Sequence, residues 1–175
     1  MLGVRYLQLT LAILKPDLIS HPVHLKLVME KILKENFFIV HWKLVQWSRE
    51  DAERFYQEHR DKFFFQRLTS YMSSDLIMPM VMARVDAIQH WRKLMGPTKA
   101  TMAKFSHPDS IRGLYGITDT RNATHGADSV ETAKREIEFF FPEFKYDEWL
   151  EKNEEKIQNG QIIYDEVSKT HKVLE

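Results

Sequence analysis

The chain has 175 residues, 43% of them hydrophobic and 29% charged, which is the composition of one compact globular domain. Its 25 basic and 25 acidic residues give a formal net charge of zero, so a nucleic-acid-binding protein with a basic surface is not expected. The sequence contains no cysteine, which excludes disulfides and thiol nucleophiles, and no apolar run near the roughly 18 residues of a membrane span.

Predicted strands and helices alternate along the chain. In order, they are a strand over 7–14, a helix over 22–36, a strand over 37–47, a helix over 48–59, a short helix over 63–72, a strand over 76–85, a helix over 86–96, a long loop, a fourth strand and a helix over 128–141. Pro22 suits the first turn of its helix, Ser48 and Asp86 are expected to cap theirs, and Asp128 or Ser129 is expected to cap the last. This order predicts an α+β fold of the ferredoxin-like type, a four-stranded antiparallel sheet covered by helices.

Two segments show no clear periodicity. Residues 97–124 are rich in turn-forming residues and predict a long irregular loop, and loops of that length inside a compact domain are usually functional. The tail from Glu143 onward mixes aromatic with many acidic residues; its first part is expected to pack on the domain and its last residues to fray. The predicted organisation is one domain over residues 1–175, with a core over about 7–142 and a C-terminal extension over 143–175.

The densest group of polar residues is the segment Asp119–Ser129. His125 is followed by Gly126, which leaves room for a substrate beside the ring. A helix is predicted to start just beyond, and the unpaired N–H groups of its first turn favour an anion. A neutral imidazole near pH 7 is a competent nucleophile toward phosphorus. A histidine taken alone more often only caps or hydrogen-bonds a loop, so the surrounding residues decide between the two interpretations.

Cationic and polar side chains are spread over predicted loops and helix ends, as phosphoryl transfer requires. They are Lys15, Arg92, Thr98, Arg112 and Asn122. Each alone is more typical of a solvated surface residue, although Pro16 fixes the direction of Lys15 directly after a strand. Neither a P-loop nor a Gly-rich dinucleotide motif occurs, so side chains are expected to hold the phosphates.

These motifs together resemble the nucleoside diphosphate kinase family over roughly residues 7–142. The strongest segment is Arg121-Asn122-Ala123-Thr124-His125-Gly126-Ala127-Asp128-Ser129, which is similar to the signature around the family's phosphorylated histidine. Four more segments match in the family's order: Leu14-Lys15-Pro16-Asp17, Phe55-Tyr56 to Phe63-Phe64-Phe65, Trp91 to Thr98, and Ser110-Ile111-Arg112-Gly113. The resemblance implies a ping-pong enzyme that transfers the γ-phosphate of a nucleoside triphosphate to a nucleoside diphosphate through phosphohistidine.

The resemblance also implies roles for residues around the transferred phosphate. His125 would attack the γ-phosphoryl group through Nδ1, while Glu136, eleven residues later, holds the other ring nitrogen. Lys15 and Asn122 would bind the sugar hydroxyls. Lys15 would also lie near the transferred phosphate, with Tyr56 beside it.

For the remaining phosphates, the resemblance implies that Arg92, Thr98 and Arg112 bind the α- and β-phosphates together with Mg²⁺. The nucleotide phosphates would carry the ion, so no residue is expected to bind it directly. Asp128 is a candidate to reach it through a water molecule.

For the base, the resemblance implies that Phe64 stacks on the ring and Leu68 closes a lid. Stacking contributes about 1–3 kcal/mol per base without reading its hydrogen-bonding edge, so low base selectivity is expected. The alternative for Phe64 is core packing within the run 63–65, of which one or two rings are expected to be buried.

The sequence departs from the family at two places. Ala127 occupies a position where the family usually has serine, so a reduced rate or altered local stability is expected. The loop between Thr98 and Arg112 is a few residues longer than in the best-known members and is similar to the divergent type 6 members. Since that loop and the C-terminal segment take part in subunit contacts in the family, hexamer, dimer and monomer all remain open.

A second function of a different class is a nucleotide-binding or scaffolding protein with the same fold and little or no turnover. Ala127 and the altered loop favour it, and the intact cations and His125 oppose it. The expected partners are ATP and other nucleoside tri- and diphosphates, with no membrane and no nucleic acid. The expected location is the cytoplasm, with the mitochondrion as an alternative because some divergent members work there.

Overall fold

The computed structural model describes residues 6–175 and contains the predicted four-stranded antiparallel sheet. Its strands are β1 (Leu7–Leu14), β2 (Phe38–Trp42), β3 (Met78–Val85) and β4 (Thr124–Gly126), in the order β2-β3-β1-β4. β1 pairs with β3 along its whole length, and its C-terminal end pairs with β4, where Ile13 lies opposite His125. The ferredoxin-like α+β prediction is confirmed.

Helices and a second, two-stranded sheet complete the fold. The helices are α1 (Pro16–Ile19), α2 (Pro22–Lys34), α3 (Arg49–Phe55), α4 (Phe65–Met72), α5 (Ala87–Met95), α6 (Ala100–Ser106), α7 (Ile111–Tyr115), α8 (Val130–Phe140) and α9 (Tyr146–Gln158), with a 3₁₀ turn over Gln57–His59. A C-terminal hairpin consists of β5 (Ile162–Asp165) and β6 (Thr170–Val173). No helix within residues 6–175 is long and apolar enough to cross a membrane.

Apolar side chains of β1 are buried on both faces of the sheet. Leu9, Leu11 and Ile13 belong to one core cluster, and Ala12 and Leu14 belong to a second. The alternation follows from the two-residue period of a strand, and the helices cover both faces. Burial on both faces fixes the position of the C-terminal end of β1, which is followed directly by Lys15.

Helix starts follow the predicted signals in three of four places. Ser48 forms a capping box with Asp51, Ser129 accepts a hydrogen bond from the Thr132 amide, and Pro22 occupies the first turn of α2. The prediction that Asp86 caps α5 through its side chain is wrong. This residue occupies the N-cap position with left-handed backbone (φ 55°), and its side chain makes no capping hydrogen bond.

Several predicted boundaries change in the structure. The strand predicted over 37–47 ends at Trp42, because its pairing shifts between Ile39 and His41 and continues only as an isolated bridge at Val45. The helix predicted over 48–59 ends at Phe55 and gives way to the 3₁₀ turn.

Two larger expectations are wrong. The loop predicted over 97–124 contains the short helices α6 and α7, and the last part of the tail, predicted to fray, forms the hairpin. The hairpin packs against the edge strand β2, where the Ile39 amide donates to Nδ1 of His171 (2.9 Å) and the Trp42 indole donates to the Ser168 carbonyl (3.0 Å). These long-range contacts order the tail.

Candidate active site

A cavity of about 620 Å³ lies beside β4 and the C-terminal end of β1. Its lining includes all ten residues that the sequence predicts for the site, and Asp128 as well: Lys15, Tyr56, Phe64, Leu68, Arg92, Thr98, Arg112, Asn122, Asp128, His125 and Glu136. They come from segments that are far apart in the chain, and the fold brings them into one cavity. Their individual roles remain predictions.

His125 and Glu136 form the central pair of the cavity. Nε2 of His125 lies 2.9 Å from Oε2 and 3.1 Å from Oε1 of Glu136, whose residue is only 3% exposed. A buried carboxylate needs a hydrogen-bond donor, so Nε2 carries the proton and donates a hydrogen bond to Glu136. Nδ1 has no hydrogen-bond partner among residues 6–175 and is left with its lone pair.

Packing and one backbone hydrogen bond fix the position of the His125 ring. The rings of Phe55 and Tyr56 lie nearly perpendicular to it at centroid distances of 5.5 and 5.9 Å. The indole N–H of Trp91 donates to the His125 carbonyl (3.1 Å).

Gly126 makes room for a neighbouring side chain. A Cβ at this position would lie 2.7 Å from Nε1 of Trp91, so packing of the indole requires glycine here. Gly126 also lines the cavity beside His125, and the room it leaves for a substrate stays a prediction.

Lys15 directly follows β1 and is only 5% exposed. Its Nζ donates to Oδ1 of Asn122 (2.7 Å) and to the Thr120 carbonyl (3.3 Å). Burial and, less strongly, the nearby charge of Arg112 lower the pKa of Lys15 to about 7, while Asp17 opposes them. The amine is therefore poised between its charged and neutral forms at neutral pH.

Arg112, the second buried cation, connects two parts of the site. Its Nη1 donates to the Gly96 carbonyl and its Nη2 to the Thr124 carbonyl, both at 2.9 Å, while the buried Nε has no partner in the described part of the chain. Burial and nearby Arg92 lower the pKa of Arg112 to about 10, so the guanidinium remains charged at neutral pH. The side chain thereby holds the turn before Thr98 against the strand that carries His125.

The aromatic residues of the site differ in exposure. Phe65 is buried, Phe63 is 91% exposed, and Phe64 lies between these extremes and lines the cavity. One ring of the run is therefore in the core, as predicted. The buried Tyr56 hydroxyl has no partner within residues 6–175, and burial, reinforced by Glu136, raises the pKa of Tyr56 well above its usual value.

The rim of the cavity carries Arg92, Thr98 and Asp128, all exposed. The Thr98 carbonyl accepts a hydrogen bond from the Asn122 amide (2.9 Å). A hydrogen bond from Thr132, and nearby Arg92, lower the pKa of Asp128, so its carboxylate is ionised at neutral pH. Within residues 6–175, no group of three His, Asp or Glu side chains is placed to hold a metal ion.

Asp17 supports the site in a way that the sequence analysis missed. Its carboxylate accepts from the Ala123 amide (3.0 Å) and from the Tyr71 hydroxyl, and Ala123 has left-handed backbone with φ 71°. Such a conformation in a non-glycine residue is strained and is held by its surroundings. The available signal was an acidic residue in the first turn after Pro16.

Comparisons with known proteins identify the family and agree with this fold. The family model described as nucleoside diphosphate kinase matches residues 8–146. Nucleoside diphosphate kinase 6 of Danio rerio is 52% identical over 170 residues, which cover 97% of each chain, and its Homo sapiens counterpart is 48% identical over 167 residues, 95% of this chain and 90% of the relative. The crystal structure of the Aquifex aeolicus nucleoside diphosphate kinase superposes with a TM-score of 0.74 at 36% identity, covering 77% of this chain and 95% of that one. The chain belongs to the nucleoside diphosphate kinase family and is similar to its type 6 members.

Proposed function

We propose that this chain is an active nucleoside diphosphate kinase whose phosphoryl carrier is His125. The observation that carries the proposal is the free Nδ1 of a histidine fixed through Nε2 by a buried carboxylate, in a cavity lined by Lys15, Arg92 and Arg112. Family membership supports the reaction class. The substrates are ATP and other nucleoside tri- and diphosphates.

In the first half-reaction, the Nδ1 lone pair of His125 attacks the γ-phosphorus of a nucleoside triphosphate. The N–P bond forms as the bond between the γ-phosphorus and the β,γ-bridging oxygen breaks, and the bridging electrons leave with the nucleoside diphosphate. The ring becomes positively charged, and Glu136 stabilises that charge through the proton on Nε2. In the second half-reaction, a terminal oxygen of another diphosphate attacks the phosphorus, and the electrons of the N–P bond return to Nδ1.

Cations hold the phosphates during both steps. Arg112 is fixed by two carbonyls before substrate binds, so its charge needs no reorganisation. An anionic nucleotide favours the protonated form of Lys15 and draws its pKa upward from about 7. The unpartnered Tyr56 hydroxyl, with its raised pKa, acts as a hydrogen-bond donor.

Magnesium fits this site as an ion carried by the nucleotide. Mg²⁺ in proteins commonly keeps several waters and binds one or two carboxylates together with substrate phosphates. Asp128 is the ionised carboxylate at the cavity rim that would contact such an ion through water. When bound, the ion neutralises phosphate charge.

The sugar and base occupy the other end of the cavity in this proposal. Lys15 and Asn122, already hydrogen-bonded to each other at 2.7 Å, bind the sugar hydroxyls. Phe64 stacks on the base, and Leu68 on the same helix face closes over it.

The proposal is tested by incubating the protein with Mg·ATP and GDP and measuring GTP. With ATP alone, the protein is also assayed for acid-labile, base-stable phosphate. Wild-type protein should show both, and His125→Ala should show neither. His107→Ala, which removes an exposed imidazole outside the cavity, is the matched control and should behave like wild type. Nucleotide binding without phosphate transfer by the wild type would instead favour the scaffolding alternative.

A further inference from the structure

Arg67 lines the cavity although no motif singles it out. It lies on α4, three residues after Phe64 and directly before Leu68. Residues three and four apart share a helix face, and all three side chains line the same cavity. The guanidinium therefore belongs to the end of the cavity where the base is placed.

A hydrogen bond orients this guanidinium. Nε of Arg67 donates to Oγ1 of Thr120 (2.9 Å), and the Thr120 carbonyl accepts from Nζ of Lys15 (3.3 Å). Nη1 and Nη2 of Arg67 have no hydrogen-bond partner within residues 6–175. Two N–H-bearing nitrogens in a fixed fork are therefore available to a ligand.

Asp119 supplies the complementary acceptor. It lines the same cavity, and its carboxylate makes neither a hydrogen bond nor an ion pair with Arg67 or any other part of the described chain. The cavity thus presents a donor fork and a carboxylate that form no ion pair with each other.

We propose that Arg67 and Asp119 read the edges of the nucleobase and make this site prefer guanine nucleotides. The inference rests on the proposed function, and it replaces the low base selectivity that stacking alone implies.

Guanine offers the groups that match this pair. Its O6 and N7 accept two hydrogen bonds from an arginine fork. Its N1–H and N2–H₂ donate to the two oxygens of a carboxylate. Adenine carries an amino group in place of O6, and pyrimidines lack N7, so neither can satisfy both side chains.

The test is nucleotide affinity measured by calorimetry with magnesium present, for GDP, ADP and CDP in turn. Wild-type protein should bind GDP about tenfold more tightly than ADP or CDP, the size expected for one good bidentate contact. Arg67→Ala and Asp119→Ala should each bring that ratio close to one and change ADP affinity less than about twofold. Arg67→Lys keeps the charge but not the fork and should also lose the preference.

Two further variants separate base reading from general charge effects. Thr120→Val leaves Arg67 charged but unanchored and should lower the GDP preference in part. Arg60→Ala removes an exposed arginine outside the cavity and should keep the wild-type ratio.

Equal affinities for the three diphosphates in the wild type would overturn the inference. So would an equal loss for all three in Arg67→Ala, which would indicate a general electrostatic contribution. Either result leaves the proposed function standing as long as phosphate is transferred. Absence of any nucleotide binding would overturn both.

Discussion

His125 in the cavity and His171 in the C-terminal hairpin each use one ring nitrogen for a hydrogen bond within the protein. The partner of His125 is an acceptor, and the partner of His171 is a donor. Nε2 of His125 donates to the Glu136 carboxylate, whereas Nδ1 of His171 accepts from the Ile39 amide. A carboxylate stabilises a positively charged ring, but an N–H donor requires a ring nitrogen without a proton. Burial, which disfavours the charged ring, lowers the pKa of His171.

The difference teaches how the same side chain can serve two purposes. In the proposed mechanism, the cavity prepares the imidazole of His125 to carry the positive charge that a phosphorylated ring acquires. The hairpin uses a neutral imidazole to cover the edge strand β2, whose unpaired backbone groups would otherwise face water or another chain. Variants in the two regions should therefore affect different measurements.

The largest effect is expected for Glu136→Gln, which keeps the shape of the side chain but removes the charge that, in the proposed mechanism, stabilises the phosphorylated ring. Phosphoryl transfer should fall about 100-fold, measured as the rate of phosphoenzyme formation in a single turnover. The free energy of unfolding should change much less than this rate. A wild-type rate of phosphoenzyme formation in this variant would mean that Glu136 contributes only to the stability of the fold, as His171 does in the hairpin.

The converse effect is expected for His171→Ala, which leaves the buried Ile39 amide without its acceptor. The free energy of unfolding should fall by about 1–3 kcal/mol, measured by urea denaturation, while the rate of transfer stays within about twofold. Replacing the exposed His107 by alanine should shift stability by less than about 0.5 kcal/mol.

The same histidine predicts a pH dependence of stability. The pKa of His171 is lowered in the folded protein, so below about pH 6.5 the unfolded chain binds more protons than the folded one. The free energy of unfolding should fall as the pH drops below 6.5 and level off below the folded pKa. His171→Ala should flatten this window, and an unchanged pH profile would contradict the role assigned to the ring.

In the cavity, the lowered pKa of Lys15 predicts that nucleotide binding depends on pH. Its pKa is about 7 in the folded chain against 10.5 ordinarily, and a bound nucleotide raises it again. Nucleotide binding near pH 8 should therefore take up a proton, seen as a binding enthalpy that depends on the ionisation enthalpy of the buffer. Lys15→Met should remove most of that dependence, and uptake of equal size in the variant would place the proton elsewhere.

The smallest effect is expected for Ala127→Ser. Ala127 is fully buried, and its amide donates to the Leu11 carbonyl (3.2 Å), so the backbone position is fixed. A hydroxyl here that donates to Glu136 would add about 1 kcal/mol and raise the transfer rate about fivefold. Ala133→Ser, at another fully buried alanine of the same core cluster, should give no increase.

The sequence predicted the sheet because the apolar runs of β1 and β3 are local signals. The residues that line the candidate cavity were named from motifs that resemble the family, and the resemblance needs no knowledge of distant contacts. The hairpin was missed because its ordering depends on His171 and Ser168 meeting β2, more than 120 residues earlier in the chain.

The helices α6 and α7 were missed for a similar reason. They have seven and five residues, and Gly113 in the middle of α7 argues against a helix in sequence terms. In the structure a Cβ at Gly113 would lie 2.9 Å from the Pro108 carbonyl oxygen, so tertiary packing requires the glycine. Arg67 escaped notice likewise, because its partner Thr120 is 53 residues away.

The measurement that tests the account most directly is NMR of the protein after reaction with Mg·ATP, to identify the phosphorylated nitrogen. The account predicts phosphate on Nδ1 of His125 with a proton retained on Nε2, because Glu136 occupies the Nε2 side of the ring. Phosphate on Nε2, or on any residue other than His125, would contradict it.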